Sequence, residues 1–460
     1  MHTFAPRDTV IIVAMVALYI ALTIWLAARS RSTTSSEFMV GARSLPALVV
    51  GVMMVSEFVG TKSMVGTAQA AFESGIAASW AVLSVAVGFP LFGMVLARKL
   101  YDSGEYTISG AIFQRYGRPT QLIVSLIMIY ALLLVNAGNY LGGAAVVATV
   151  LHLDLPLAAL AIACVSAVYV ALGGMKSVAR VTVLHSVVKF AGLLVLLAVA
   201  LRATGGVTPI VQALPADFFT WDGRIGASTV VAFFIGNVGA IFSTQYIMQA
   251  ISSTTSAGAA RRASFIAGAL ALPVGVALGL IGVAARYLHP EAPSLQALPM
   301  FLHGMNGWLA GFVAIALVAA IFASVSTVAL ATASLVVRDF YLPWCQPPAA
   351  RQFAVTRWIA LVVVFAPLTC VFLAPGLLQL SFFTRALRLS ISVVAVIGLY
   401  LPFFGTGRNA ACALLASVGA TTAWYLMDDP YGIDNMYIAL ATPALVITLG
   451  RLLDRVPIPR

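Results

Sequence analysis

Hydrophobic runs of roughly 20 residues recur from one end of the chain to the other, each about the length of a bilayer-crossing helix. Thirteen spans are predicted, over residues 9–28, 47–70, 76–97, 121–151, 155–172, 181–201, 228–251, 263–285, 308–336, 354–374, 377–403, 409–426 and 435–452. The connections between them are too short to fold as a soluble domain. The pattern therefore predicts an all-α polytopic membrane protein with one domain over residues 1–460. The first run is too long for a signal-peptide core and lacks a short basic flank with a small-residue cleavage site, so it reads as a retained helix.

Composition agrees with that reading: 61% of residues are hydrophobic and only 9% charged. A net charge of +11 would suit a nucleic-acid partner, but its distribution argues otherwise. Loops on alternate sides of the predicted spans carry 18 and 4 of the 26 Lys and Arg residues, the other 4 being intramembrane. The excess is an orientation signal that places the C-terminus in the cytoplasm and the N-terminus outside. Cys164, Cys345, Cys370 and Cys412 show no CxxC spacing and read as packing residues; His2, His152, His185, His289 and His303 show no metal-ligand spacing. Arginine supplies 22 of the 26 basic residues, which together with abundant alanine suggests a GC-rich bacterial source and an inner (plasma) membrane location.

Charged side chains inside the apolar spans single out the functional candidates. Ser56-Glu57-Phe58-Val59-Gly60-Thr61-Lys62-Ser63 holds a carboxylate and an ammonium five residues apart. Each ionised group costs about 2.5 to 3.5 kcal/mol at mid-bilayer unless it pairs, lines water or binds something. Thr182, His185 and Lys189 recur at helical spacing and so share one face. Arg385 and Arg388 either add positive potential to the same cavity or snorkel to a surface. Asn136, Asn139, Asn237 and Gln245 are neutral groups suited to orienting a ligand or to bonding helix to helix.

Several stretches together resemble the sodium:solute symporter family. Phe38-Met39-Val40-Gly41-Ala42-Arg43-Ser44-Leu45-Pro46, followed by Ser56-Glu57, Gly60 and Phe72-Glu73-Ser74-Gly75, is similar to its opening signature. Gly173-Gly174-Met175-Lys176-Ser177-Val178 looks like its double-glycine turn, Thr244-Gln245 with Gln249 like its paired glutamines, and Ala319 to Tyr341 like its Ser/Thr-rich helix. The resemblance implies a leucine-transporter-type fold with 5+5 inverted repeats: a leading helix over 9–28, repeats over 47–201 and 228–403, and trailing helices over 409–452. In such folds broken helices near the midplane free carbonyls for a cation and helix ends for a substrate. Gly60 and Gly236-Asn237-Val238-Gly239 are the candidate breaks.

Carried over by register, the family's sodium cage would use the carbonyls of Val55, Phe58 and Ala320 and the hydroxyl of Ser324, with Glu57 at hand. Its other hydroxyl falls on Ala323, so one oxygen is missing and a sodium site is weakened unless water or Glu57 replaces it. The family's acid on the sodium exit path falls on Thr182. Lys189 and Glu57 then become each other's expected partners, with His185 nearby, and a proton could stand in for sodium; snorkelling of Lys189 is the alternative. Lys62 lies one turn past the break, where family members touch substrate, and suits an anionic solute such as a carboxylate; an internal pair with Glu57 is the alternative. Asn136, Asn237 and Gln245 complete the candidate substrate set.

The resulting expectation is a secondary transporter without enzymatic chemistry, which couples Na+, or H+ in its place, to movement of a small organic solute by alternating access. The lipid bilayer is its surroundings; no nucleic acid and no obligatory protein partner is implied. A sensor module is the rival reading and would need a separate signalling partner, and a membrane enzyme is disfavoured by the lack of a clustered nucleophile, base or metal set.

Overall fold

The structure is a computed structural model that describes residues 6–29, 35–151, 153–369, 377–401 and 404–454. Cys370, His2 and His152 lie outside the described residues. Among the described residues the regular structure is all helical, apart from one isolated bridge between Leu45 and Thr254. The main helices are α1 (Pro6–Ala28), α2 (Ala47–Phe58), α3 (Thr61–Ser74), α4 (Trp80–Val95), α5 (Arg118–Leu151), α6 (Leu155–Thr204) and α7 (Gly226–Ser243). They continue as α8 (Gln245–Ser252), α9 (Ala257–Leu288), α10 (Gly307–Leu335), α11 (Ala349–Phe365), α12 (Leu377–Tyr400), α13 (Gly407–Leu426) and α14 (Asn435–Asp454). Among the described residues, eleven stretches are long and apolar enough to cross a membrane, and the bent pair α2/α3 makes twelve. The remaining predicted place holds α13, a 20-residue helix rich in small and hydroxyl residues.

Two boundaries differ from the sequence pattern. Residues 173–180, expected to form a loop, are helical: α6 runs 50 residues and turns only at Gly174, at φ 57° and ψ −149°. One residue in a conformation that excludes a side chain reverses the direction without a loop, so Lys176 and Arg180 open the second half of α6. The interruption expected at Gly236-Asn237-Val238-Gly239 is also absent. That segment stays helical in α7, and the chain leaves helical geometry at Thr244 (ψ 130°) before α8. Its glycines serve close packing instead: a Cβ on Gly239 would lie 2.3 Å from Leu389 and one on Gly236 2.9 Å from Met436. The interruption at Gly60 does occur, and α2 and α3 meet there at 53°.

Helix α10 forms the axis of the bundle. Its composition is apolar all round, and nearly every residue from Gly307 to Leu335 is buried, against α6, α5 and α1 among others. Small residues bring α9 close to α3 and α4: a Cβ on Gly282 would meet the Ala68 carbonyl at 2.4 Å, and one on Gly268 the Ala86 carbonyl at 2.7 Å. In lipid, where tails are as apolar as leucine, such backbone approach supplies much of the packing energy. Cys164, Cys345 and Cys412 are exposed free thiols. They do not pack the core, because they fall on outward faces of their helices.

Gly174 bears both constraints at once, since a Cβ there would lie 2.6 Å from Phe38 in addition to its positive φ. Gly174→Ala is expected to cost about 3 kcal/mol or more, against about 1–2 kcal/mol for Gly104→Ala, where φ is +75° but nothing lies within 4 Å. Thermal unfolding in detergent measures the difference, and equal effects would remove the packing argument.

Candidate cation site and polar cluster

The break between α2 and α3 creates the polar centre of the molecule. Val59 leaves the helix at φ −99° and ψ 54°, Gly60 is extended, and α3 restarts at Thr61. The last carbonyls of α2 therefore lack helical donors, and they sit at the negative end of its dipole. Lys189 of α6 fills this place. Its Nζ donates to the Ser56 carbonyl at 3.0 Å, the Ser56 hydroxyl at 3.1 Å and the Val59 carbonyl at 2.9 Å. The residue is 0% exposed, so it does not snorkel, and all three ammonium donors are matched. The Phe190 ring lies 5.1 Å away.

The carbonyls that Lys189 meets lie one residue along from Val55 and Phe58. The Val55 carbonyl accepts from Val59 N at 2.9 Å and the Phe58 carbonyl from the Ser63 hydroxyl at 2.6 Å, and each keeps a second lone pair. Ser324 does face the break: a Cβ on Gly60 would lie 2.2 Å from its Oγ. Its hydroxyl is given to the Ala320 carbonyl at 3.0 Å. Ala323 adds no oxygen.

Glu57 and Lys189 interact electrostatically, but the hydrogen bonds of Lys189 go to Ser56 and Val59. Adjacent helical residues point about 100° apart, so while Ser56 faces α6, Glu57 faces α8 and α12. There it shares a hydrogen-bonded group with Tyr246 and Arg388, and its Oε2 has no hydrogen-bond partner. Arg388 is 5% exposed, and its guanidinium donates to Thr384 O at 3.1 Å and to Thr244 Oγ1 at 3.0 Å, the latter at the α7/α8 interruption. Lys62 runs along α5, where Gly138 makes room for it, and interacts electrostatically with Glu57, Arg385 and Arg388. One carboxylate thus interacts with four cations, Lys62, Lys189, Arg385 and Arg388. Towards the loop before α14, Arg385 interacts with Asp434, whose carboxyl burial pushes above the usual range.

The other candidates are placed as follows. His185 Nδ1 and the Tyr19 hydroxyl share a 2.6 Å hydrogen bond, while His185 Nε2 and Ser326 Oγ line one small cavity without a hydrogen-bond partner. Asn136 Nδ2 donates to the Val325 carbonyl at 3.2 Å, tying α5 to α10, with Asn139 beside it. Asn237 donates to Ala81 O at 3.0 Å and Ser84 Oγ at 2.6 Å, tying α7 to α4. Gln245 accepts from Ile108 N and donates to Tyr106 O and Ser334 Oγ, each at 3.0 Å. The first three groups stand near the centre, whereas Gln245 belongs to a polar lock at one end of the bundle.

That lock was not foreseen as a unit. Asp339, 0% exposed, accepts from Ser109, Ser125 and, at 2.8 Å, Gln121. Arg338 pairs with Glu105 at 3.1 Å, Ser252 Oγ donates to Glu105 O at 3.0 Å, and Gln249 Nε2 reaches Met39 O at 2.5 Å. The sequence signal was the Arg338-Asp339 pair closing a Ser/Thr-rich helix; its partners come from segments more than two hundred residues away and carry no signal of their own.

Comparisons with known proteins bear on the family and the fold. The model of the sodium:solute symporter family matches residues 38–404. The high-affinity choline transporter 1 of Caenorhabditis elegans is 24% identical over 397 residues, 78% of this chain and 67% of that protein. The osmoregulated proline transporter of Bacillus subtilis (strain 168) is 24% identical over 465 residues, 96% of this chain and 89% of that one. Among solved structures, a Na+-coupled sialic acid symporter in a substrate-bound outward-open state superposes with a TM-score of 0.84 at 16% identity, over 96% of this chain and 98% of that chain.

Gln245→Leu would leave Ile108 N, Tyr106 O and Ser334 Oγ without this partner. A loss of about 1–3 kcal/mol is expected for the buried groups left unsatisfied, read as a lowered thermal midpoint in detergent. Unchanged stability would show that water or a rearranged loop replaces the amide.

Proposed function

This chain belongs to the sodium:solute symporter family, and from that premise we propose that it moves a small organic anion across the membrane with the Lys189 ammonium standing where the family binds its structural sodium ion. It is a multi-pass membrane transporter of leucine-transporter-type fold and not an enzyme. The observation that carries the finer reading is the set of three hydrogen bonds from Lys189 Nζ to Ser56 and Val59. Where relatives recruit a free ion to hold the end of the broken helix, this protein carries one on a side chain.

Coupling then follows from protonation. A charged Lys189 clamps α6 to the end of α2; a neutral amine gives up the charge that the carbonyls stabilise, and the two helices can part. The coupling ion in this reading is H+. Alternating access would consist of movement of the element built on α2/α3 and α7/α8 against its surroundings, within repeats over residues 47–201 and 228–403. The solute is assigned as an anion because Lys62 and Arg388 both stand by Glu57 at the broken helix, a cationic setting that a carboxylate would complement. Basic-loop asymmetry supports an external N-terminus and a cytoplasmic C-terminus, with the Gln245–Asp339 lock at the cytoplasmic end, and the arginine- and alanine-rich composition supports a bacterial inner membrane.

Uptake into proteoliposomes with imposed gradients tests the coupling. Wild-type protein is expected to accumulate an organic anion under a proton gradient without sodium, and Lys189→Ala to lose accumulation while still exchanging solute. Sodium-driven accumulation at constant pH, undiminished by Lys189→Ala, would restore the ordinary sodium mechanism.

The anion assignment has its own test. Lys62→Gln should raise KM for a carboxylate about tenfold or more, the equivalent of one lost charge-assisted hydrogen bond, with unchanged membrane insertion. An unaltered KM would remove Lys62 from the solute site.

A further inference from the structure

At the far end of the same two helices, a groove of about 510 Å³ opens between the start of α2 and the second half of α6. Its lining includes Ser44 and Val49 on one side and Lys176, Ala179, Arg180 and Val183 on the other. We propose that this groove seats the headgroup of an anionic phospholipid from the leaflet that the basic loops face, and that the bound lipid braces α2 against α6.

The argument begins with one stripe of α6. Lys176, Arg180, Val183, Val187 and Leu194 follow one another at intervals of three, four and seven, which keeps them on one helical face. Along that stripe the character changes once. Lys176 is half-buried and Arg180 exposed, whereas Val187 and Leu194 are 62% and 59% exposed apolar residues, and Leu48 of α2 is 61% exposed. Two cations at one end and an outward apolar track leading from them match a phosphate joined to an acyl chain. A soluble anion would use only the first part.

Depth fits as well. The membrane-crossing half of α6 begins at Gly174, so Lys176 and Arg180 stand in its first two turns, at the level of headgroups. Basic pockets between membrane helices at this level are suited to anionic lipids, and each cation near the surface adds to the attraction. Glu37 pairs with Lys176 at 3.0 Å and partly offsets it. Arg43 lies close by in sequence, but its guanidinium is directed to Gly104 O at 2.7 Å. The local sign remains positive.

The consequence for the protein comes from what the groove joins. Lys189 ties α6 to the last turn of α2, and the groove lies between α6 and the first turn of α2. A headgroup there resists separation of the same helices from the opposite end. This bracing does not depend on which ion drives transport, so its test stands apart from the coupling assay.

The experiment uses the full chain. Native mass spectrometry after incubation with mixed phosphatidylcholine and phosphatidylglycerol should show phosphatidylglycerol retained preferentially. Lys176→Gln with Arg180→Gln should weaken that retention about 30-fold, from about 1 kcal/mol per cation. Glu37→Gln should strengthen it, because Lys176 is then fully available, whereas a purely structural Lys176–Glu37 bridge would make both variants worse. In nanodiscs, phosphatidylglycerol should raise the unfolding temperature of wild-type protein relative to phosphatidylcholine alone, and the double variant should lose that increment. Equal retention of both lipids by wild-type protein, undiminished retention by the double variant, or weaker retention by Glu37→Gln would overturn the proposal. An equal thermal shift from inorganic phosphate would assign the cations to a free anion and overturn it too.

Discussion

A carbonyl at mid-membrane has no water to turn to, and leaving it unpaired costs several kcal/mol. The ending of α2 at Val59 is tolerable only because something positive and rich in donors meets it. Lys189 supplies that group from α6, and much of the architecture follows. The helix can break, its two halves can point at 53° to one another, and Glu57 and Lys62, on either side of the break, can face the interior instead of lipid. A tethered ammonium differs from a dissolved ion in one respect that matters for control. Its local concentration is fixed by the chain and does not depend on the ions dissolved around the protein.

How much of this was legible in the sequence depends on the kind of signal. Hydropathy located nearly every membrane-length helix, because apolar length is a property of each segment alone. Glycine was a poorer guide. Gly60 marks a real break, yet Gly236 and Gly239 sit in unbroken helix against Met436 and Leu389. Both uses remove a Cβ, and only the tertiary neighbour tells which is meant. The interruption that does occur, at Thr244, has no glycine at all; the Arg388 guanidinium is bonded there to the threonine hydroxyl.

The polar residues show a second limit. Sequence reasoning correctly held that Lys189 and Glu57 need partners, then joined them to each other. Rotation of about 100° per residue separates Ser56 from Glu57, and that rotation hands the ammonium to one and leaves the carboxylate to Tyr246 and Arg388. A shift of one position likewise changes which carbonyls meet the ammonium, Ser56 and Val59 and not Val55 and Phe58. Such assignments depend on backbone geometry at single residues, which no periodicity encodes.

Opening the end of the bundle that holds Gln245 and Asp339 would have to break a different kind of contact. The lock there is made of many bonds of modest net worth, about 0.5–1.5 kcal/mol each and somewhat more where a charge takes part. Their sum is large, but every group involved can turn to water once the end opens, so the penalty for parting is far smaller than at mid-membrane. The Lys189 contact has no such exit while its ammonium stays charged. The two sets of contacts therefore differ in kind: the lock is many bonds of modest worth at one end of the bundle, and the buried ammonium is a single charged tie between α2 and α6. Because both act on elements packed around α10, which is buried along nearly its whole length, that helix is the fixed member against which either set can work.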